Sequence, residues 1–522
     1  MYECPNCGGN LKFEIPSQKL FCAYCDTRLE PEAVTKETDT LENDCFEVNV
    51  FLCPQCGGEM ISGDNDATAF CSYCGAANIL SSRISREKRP KYIIPFKKTK
   101  EDCKNAYERR LRRAIFAPKE LKDPKFIDSF RGIYMPYCLY HFTQKGPISF
   151  KGKKIRQKGN YRYTDHYALT ADLDSENLGL SHDVSAAFYD NISQSLAPYN
   201  TQDLRAFTPS YLSGFYADIP DLDLSAYLWE ATDLVNDNCV RMIQHHPAVK
   251  QFNPITFATQ KSAALHTNCE HMDSAMYPVW FLSWRNKDRV AYAAVNGQTG
   301  KVAMEVPADP RKYIIASILL AIPIFLFLNL FLTLRPSLLL MVCTVLTLLA
   351  AEIYRYEVDA IFNQETHAFD KGMNIKSKNP QWLKKRLSNG AEEGNLSSLL
   401  TRLFSFSIIF LVGGAFLFSF SSRLFGLPLA CCIIYICING RKRLHKSKDS
   451  KGGFGLIATL VSVPAGTLVG LVQPVSDLWY YGCALMALVS VLICITDIIL
   501  NYNRLATYKL PQFEKKGGED RA

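Results

Sequence analysis

The sequence predicts a multidomain chain: two small β units built on cysteine pairs, an α+β domain, and an α-helical transmembrane bundle of about six helices arranged as three hairpins. Three observations carry that reading. Eight of the nineteen cysteines form four CxxC pairs near the N-terminus, mixed strand and helix patterns fill the stretch to about residue 310, and almost every bilayer-length apolar run lies after Arg311. A length of 522 residues suggests about three units at roughly 100 to 200 residues per domain. With 48% hydrophobic and 21% charged residues, disorder over most of the chain is excluded.

The cysteine units come first. Cys4 and Cys7 pair with Cys22 and Cys25, and Cys53 and Cys56 pair with Cys71 and Cys74, each member of the second set lying 49 residues after its counterpart. The flanking residues repeat as well, CPNCGG with FCAYC and then CPQCGG with FCSYC. Two knuckles supply four sulfurs at tetrahedral geometry, so the spacing predicts two structural Cys4 Zn²⁺ sites, one ribbon at 1–40 and one at 41–82. A redox dithiol would need a neighbouring βαβ pattern, which is absent. Four cysteines per site leave no position for water, so catalysis by the metal is not expected. Units this small bury little apolar surface, and the metal is expected to supply much of their folding free energy.

Charge narrows the partners. Residues 1–82 carry four basic and thirteen acidic side chains, whereas residues 83–113 carry thirteen basic and four acidic. Phosphate-backbone affinity comes chiefly from Lys and Arg, so the acidic ribbons favour protein over nucleic acid. The segment 83–118 reads as a basic linker, a short strand at Tyr92–Ile94 between Pro90 and Pro95, and a helix opened by Thr99 and Asp102 as a capping pair. Cys103, Ala106, Tyr107, Leu111 and Ala114 form its apolar stripe, leaving Arg109, Arg110, Arg112 and Arg113 for a solvated face or an anionic surface such as lipid headgroups or an acidic partner.

The α+β domain is expected at 119–310. GIYMPYCLYHF at 132–142 reads as a buried strand, Leu224–Ile243 as a helix, and 277–307 as strands joined by a turn at Asn296, Gly297 and Gly300. His245 with His246, and His266 with Cys269 and His271, show no metal-ligand spacing with a second half elsewhere and read as surface or core residues. No HExxH, P-loop, GxSxG or dinucleotide-binding glycine motif occurs, and Asp172 and Asp174 read as turn or strand-end residues rather than an acid/base pair. The expectation is a protein that is not an enzyme.

Apolar runs predict transmembrane hairpins at 311–354, 403–439 and 454–500. The segments 355–402, 440–453 and 501–522 carry eight, six and five Lys and Arg, against two in the short links. The positive-inside rule places these segments and both termini in the cytoplasm, with the protein multi-pass in the plasma or inner membrane. The N-terminus has no charged n-region, apolar core or cleavage site, which agrees. The runs at 337–353 and 424–438 are short for a crossing and could be re-entrant. Few ionisable residues fall inside the runs, Glu352 and Asp497 lying near expected cytoplasmic ends.

Together the CPNCGG and CPQCGG knuckles, KYIIPFKKTKEDC, GIYMPYCLY, LSGFY and YPVWFLSW with VNGQTGKV resemble bacterial membrane proteins with an N-terminal TFIIB-type zinc ribbon, whose genes tend to neighbour SPFH-domain (flotillin-like or virion-core-like) and PspA-type stress proteins. The resemblance implies a membrane-bound adaptor or scaffold that organises an SPFH-type partner at the cytoplasmic face in envelope stress, and it supplies no catalytic residues. The expected function is therefore a non-enzymatic multi-pass adaptor whose partners are the lipid bilayer and other proteins, with homo-oligomerisation compatible. The alternatives are a transporter or channel with a zinc-ribbon regulatory domain, and a membrane-tethered nucleic-acid binder using residues 83–113.

Overall fold

The computed structural model describes residues 2–34, 45–62, 71–76, 81–186, 188–252, 255–331, 335–365 and 454–511. The first ribbon contains β1 (Leu11–Glu14), β2 (Lys19–Cys22) and β3 (Arg28–Leu29), which form their own antiparallel sheet. The second contains β4 (Cys45–Leu52), β5 (Glu59–Ser62) and β6 (Ser81–Lys88). These last three join the main sheet, whose path runs from β10 (Arg205–Ala206) through β7 (Tyr92–Ile93), β13 (Thr267–Asn286), β8 (Arg131–Lys158) and β11 (Tyr216–Asp218) to β5, β4 and β6. Around it lie β9 (Tyr161–Asp183) and β12 (Ile255–Thr256) on β8, and β14 (Arg289–Asn296), which pairs with β13, β15 (Val302–Met304) and β16 (Tyr508–Lys509).

One expected boundary changes. Residues 81–88 are an edge strand, not a linker: β6 pairs along its length with β4, from Cys45 opposite Lys88 to Leu52 opposite Ser81. Charged residues at an edge discourage further strand pairing, which is why the segment reads as linker in sequence. The second ribbon is accordingly part of the main sheet rather than a free-standing module.

The centre of the sheet is covered on both faces. Ile133, Met135, Tyr137 and Leu139 of β8 pack with Tyr277, Val279 and Phe281 of β13 in one cluster. Tyr134 packs with Met276, Trp280 and Leu282 in another, which also takes in Leu11, Phe13 and Leu20 of the first ribbon. A strand buried on both sides reads as a continuous apolar run, as GIYMPYCLY does. The helices are α1 (Lys100–Arg112), α2 (Pro124–Ile127), α3 (Asp190–Leu196), α4 (Leu228–His245) and α5 (Lys261–Ala264). In α1, Thr99 accepts from the Asp102 backbone N–H while the Asp102 side chain accepts from Thr99, and Cys103, Ala106, Tyr107 and Leu111 are buried, as the capping pair and stripe predict.

The strand expected at 132–142 continues to Lys158 and turns back through Gly159 and Asn160 into β9, making a hairpin of 28- and 23-residue strands. Gly159 sits at φ +60°, the conformation a two-residue hairpin turn with glycine first requires. Ile148 and Phe150 still pack with Cys239 and Leu265, but the tip beyond Lys154 is exposed on both faces, so no alternation marks it in the sequence. Asp172 and Asp174 lie within β9, opposite Pro147 and Lys145, not at a strand end.

After the domain come α6 (Pro310–Phe331), α7 (Pro336–Glu365), α8 (Phe454–Val472) and α9 (Asp477–Leu505). Among the described residues, two helical stretches are long and apolar enough to cross a membrane, Pro336–Val358 and Asp477–Leu505, against about six expected; Phe454–Gly470 is shorter. The second expected hairpin, 403–439, lies outside the described residues, as do 366–402 and the loop 440–453. The short run at 337–353 proves to be the start of a 30-residue helix, because the polar residues after Tyr354 continue its turns. Asp497 is buried and accepts from the Gly455 backbone N–H at 3.0 Å, capping the start of α8 instead of reaching water. The segment expected as a free tail returns to the domain: Tyr508 is buried in β16, stacked on Tyr189 with ring centroids 4.0 Å apart. Asp309, before α6, donates its backbone N–H to the Phe116 carbonyl at 2.7 Å, so the start of α6 and the end of α9 both abut the domain.

Candidate metal centres

Each knuckle is closed by the same pair of backbone hydrogen bonds. Gly8 donates to the Cys4 carbonyl at 2.8 Å and Cys4 to the Gly9 carbonyl at 2.7 Å. The equivalent pairs are Asp26 to Cys22 with Cys22 to Thr27, Gly57 to Cys53 with Cys53 to Gly58, and Gly75 to Cys71 with Cys71 to Ala76. The residue after the second cysteine must adopt positive φ: Gly8 at +71°, Asp26 at +55°, Gly57 at +74° and Gly75 at +70°. Glycine does this without steric cost, and aspartate is among the few other residues that tolerate it.

The knuckles bring the eight predicted cysteines into two groups, Cys4/Cys7/Cys22/Cys25 and Cys53/Cys56/Cys71/Cys74, with the sulfurs of each within 4.8 Å of one another. Cys4 and Cys25 are 3.5 Å apart and Cys7 and Cys22 3.4 Å; Cys53 and Cys74 are 3.8 Å apart and Cys56 and Cys71 3.6 Å. Four thiolates about 2.3 Å from a tetrahedral zinc ion lie roughly 3.8 Å apart, so both groups fit a Cys4 metal site. Protons are shared unevenly within each group: Cys7, Cys56 and Cys71 are raised above the ordinary thiol range while Cys25, Cys53 and Cys74 are lowered. The Thr27 hydroxyl and backbone N–H bring Cys25 down to about 6, and the Cys71 thiol beside Cys53 brings Cys53 to about 6.

The two groups differ in setting. In the second, all four cysteines are buried, and the ribbon is tied into the sheet from several sides. The Tyr73 hydroxyl, between the third and fourth ligands, donates to Asp218 Oδ1 at 2.5 Å, and Tyr292 donates to the Tyr73 carbonyl at 2.6 Å. The Ser185 hydroxyl donates to the other Asp218 oxygen. Burial and the neighbouring Asp221 push the Asp218 carboxyl from its ordinary 3.8 up to about 7. Arg285 reaches Gln55 at 3.0 Å. In the first group, Cys7 and Cys25 are exposed and Tyr24, between the third and fourth ligands, is 80% exposed. This ribbon docks by its opposite side, where the Phe13 ring lies 5.4 Å from Tyr211 and the Phe13 N–H donates to the Ser213 carbonyl at 3.0 Å.

Arg109, Arg110, Arg112 and Arg113 are all exposed. Arg110 and Arg113 line a cleft of about 500 Å³ together with Glu305, Tyr502 and Leu505, between α1 and the end of α9. Arg112 faces Glu108 at 4.0 Å. His245 and His246 are exposed at the end of α4, and His266 meets the Pro147 carbonyl at 3.0 Å rather than joining His271.

No family model matches the chain, and no solved structure matches it. It is similar to the Bacillus subtilis (strain 168) protein YdjG, described as uncharacterized: 29% of residues are identical over 315 positions, 60% of this chain and 91% of that protein. Roughly two fifths of the chain lie outside that similarity.

Proposed function

We propose that this chain is a non-enzymatic membrane adaptor in which both cysteine groups hold Zn²⁺, the first ribbon docks a partner protein, and the second serves as a structural fastening. The carrying observation is the contrast between the groups. The second is enclosed and hydrogen-bonded into the main sheet, whereas the first is rooted by Phe13 and presents Cys7, Tyr24 and Cys25 to solvent. An exposed aromatic on a rigid, metal-closed turn is a suitable anchor for a protein partner.

The reading is multi-pass. The chain leaves the domain at Asp309 and returns to it at Tyr508, which requires an even number of crossings if α7 and α9 span the bilayer. Arg110 and Arg113 beside the end of α9 are then placed to meet anionic headgroups. The sequence resemblance suggests an SPFH-type partner on the cytoplasmic face.

Affinity purification of the full-length protein from detergent-solubilised native membranes tests this. Tyr24→Ala should lose the partner while metal content and folding stay at wild-type levels, and Cys4→Ser should lose both the partner and one metal equivalent. Undiminished partner recovery with both variants would refute the docking role.

A further inference from the structure

His141, His271 and Asp273 meet on two neighbouring strands. His141 lies on β8 directly opposite His271 on β13, and Asp273 is two residues further along β13 on the same face. That pairing depends on a bulge: the register shifts between Cys269 and His271, with Glu270 as the extra residue. Bulges redirect side chains and gather next to functional sites. The imidazoles stack with centroids 4.1 Å apart and planes at 19°. His141 Nε2 is 3.4 Å and His271 Nε2 3.6 Å from the same oxygen, Asp273 Oδ2. The other carboxylate oxygen is held at 2.9 Å by Lys91 Nζ, from the residue just before strand β7.

The hydrogen bonding of the trio is incomplete. Both His141 ring nitrogens and Asp273 Oδ2 are buried atoms without a hydrogen-bond partner, although the His141 and Asp273 side chains are only 18% and 11% exposed. Leaving such groups unsatisfied costs free energy of about 1 to 3 kcal/mol each. A divalent ion bound to two imidazoles and a carboxylate at about 2.0 to 2.2 Å would separate its donor atoms by roughly 3.4 Å, close to the two nitrogen–oxygen distances found, and the exposed His271 ring must turn out of the stack for both imidazole lone pairs to converge on one ion. It would also give His141 Nε2 and Asp273 Oδ2 the partner they lack. The outer ligand, His271, is 56% exposed, so the remaining coordination position opens to water.

The trio His182, Asp183 and Asp190 makes a useful contrast. There Asp190 already accepts from the Tyr227 hydroxyl at 2.6 Å and His182 Nδ1 meets the Asp183 carbonyl at 3.1 Å, so two of the three members are engaged by the protein itself.

We propose that His141, His271 and Asp273 form a third metal site, distinct in kind from the cysteine groups: an open His2Asp centre that takes an exchangeable divalent ion of the zinc class. Its ligands are nitrogen and oxygen, three in number, with water completing the shell, so it exchanges its ion with solution while the four-thiolate sites stay loaded. Lys91 fixes the carboxylate so that Oδ2 faces the histidines, the supporting role usual for a second layer around a metal.

The test uses purified full-length protein whose cysteine sites are already filled, titrated calorimetrically with Zn²⁺. Wild type should take up one further equivalent, and His271→Ala should weaken that step at least about tenfold while metal retained at the cysteine sites and thermal midpoint without added Zn²⁺ are unchanged. In wild type, Zn²⁺ should also protect His271 from diethyl pyrocarbonate while His245 and His246 remain reactive, a readout that needs no variant. Absence of a further equivalent, unchanged affinity in His271→Ala, or unprotected His271 would each overturn the proposal. Failure of the ribbon-docking reading leaves these outcomes untouched, because Tyr24 and Cys4 are not part of this site.

Discussion

At the scale of single residues, the metal ligands were readable and their supports were not. CxxC spacing followed by glycine is a local covalent fact, and the knuckle hydrogen bonds at Gly8, Gly57 and Gly75 follow from it. Asp218 is the opposite case, since nothing within its sequence neighbourhood indicates that it lies under Tyr73. Its carboxyl, raised from 3.8 to about 7, keeps its proton in the folded state at pH values where the unfolded chain releases it. Folding stability from this group therefore declines as pH rises from about 4 to about 7, by an upper bound of about 4 kcal/mol at 1.36 kcal/mol per pH unit. Asp218→Asn removes the titration, so the thermal midpoint of wild type should fall relative to that of the variant as pH rises across that window. Parallel curves would show that Asp218 does not titrate as described.

At the scale of elements, patterns bounded by local signals held, while those set by neighbours shifted. The Thr99–Asp102 cap and the stripe of α1 were legible because a helix satisfies itself at i and i+4. The fate of 81–88 depended on a partner strand about 36 residues earlier, and the length of the β8–β9 hairpin on pairing that its solvated tip does not announce. The two cysteine groups, indistinguishable by spacing, diverge once packed. From protein with only the cysteine sites filled, a chelator should strip metal in two phases, the faster from the exposed first ribbon. Cys25→Ser should abolish the fast phase and Cys74→Ser the slow one, as followed by a colorimetric zinc indicator; a single phase would deny the difference in accessibility.

For the whole molecule, the link between domain and helices lies in the last described strand. Tyr508 is 5% exposed among Tyr189, Tyr292 and Glu305, and Arg289 donates to the Arg504 and Thr507 carbonyls at 2.7 and 2.6 Å. Tyr508→Ala should cost about 3 kcal/mol, the lower end for truncating a buried aromatic. Hydrogen exchange should report the loss in β14 and β16 while β1 to β3 remain protected. Uniform exchange throughout the domain would mean that the strand is not a local fastening. The sequence assigned this segment to a tail because two residues of strand carry too little pattern to identify.

By itself the sequence determined the two cysteine quartets, the order of a soluble part before apolar helices, and the helix and hairpin whose caps and turns are written in adjacent residues. Tertiary structure alone decided that the second ribbon is enclosed and the first exposed, that Asp497 caps a helix, and that His141 faces His271 and Asp273. The physical reason is range. Backbone turns and helix caps are settled by neighbours within a few residues, whereas burial, strand register and the meeting of side chains 130 positions apart depend on which surfaces the sheet brings together.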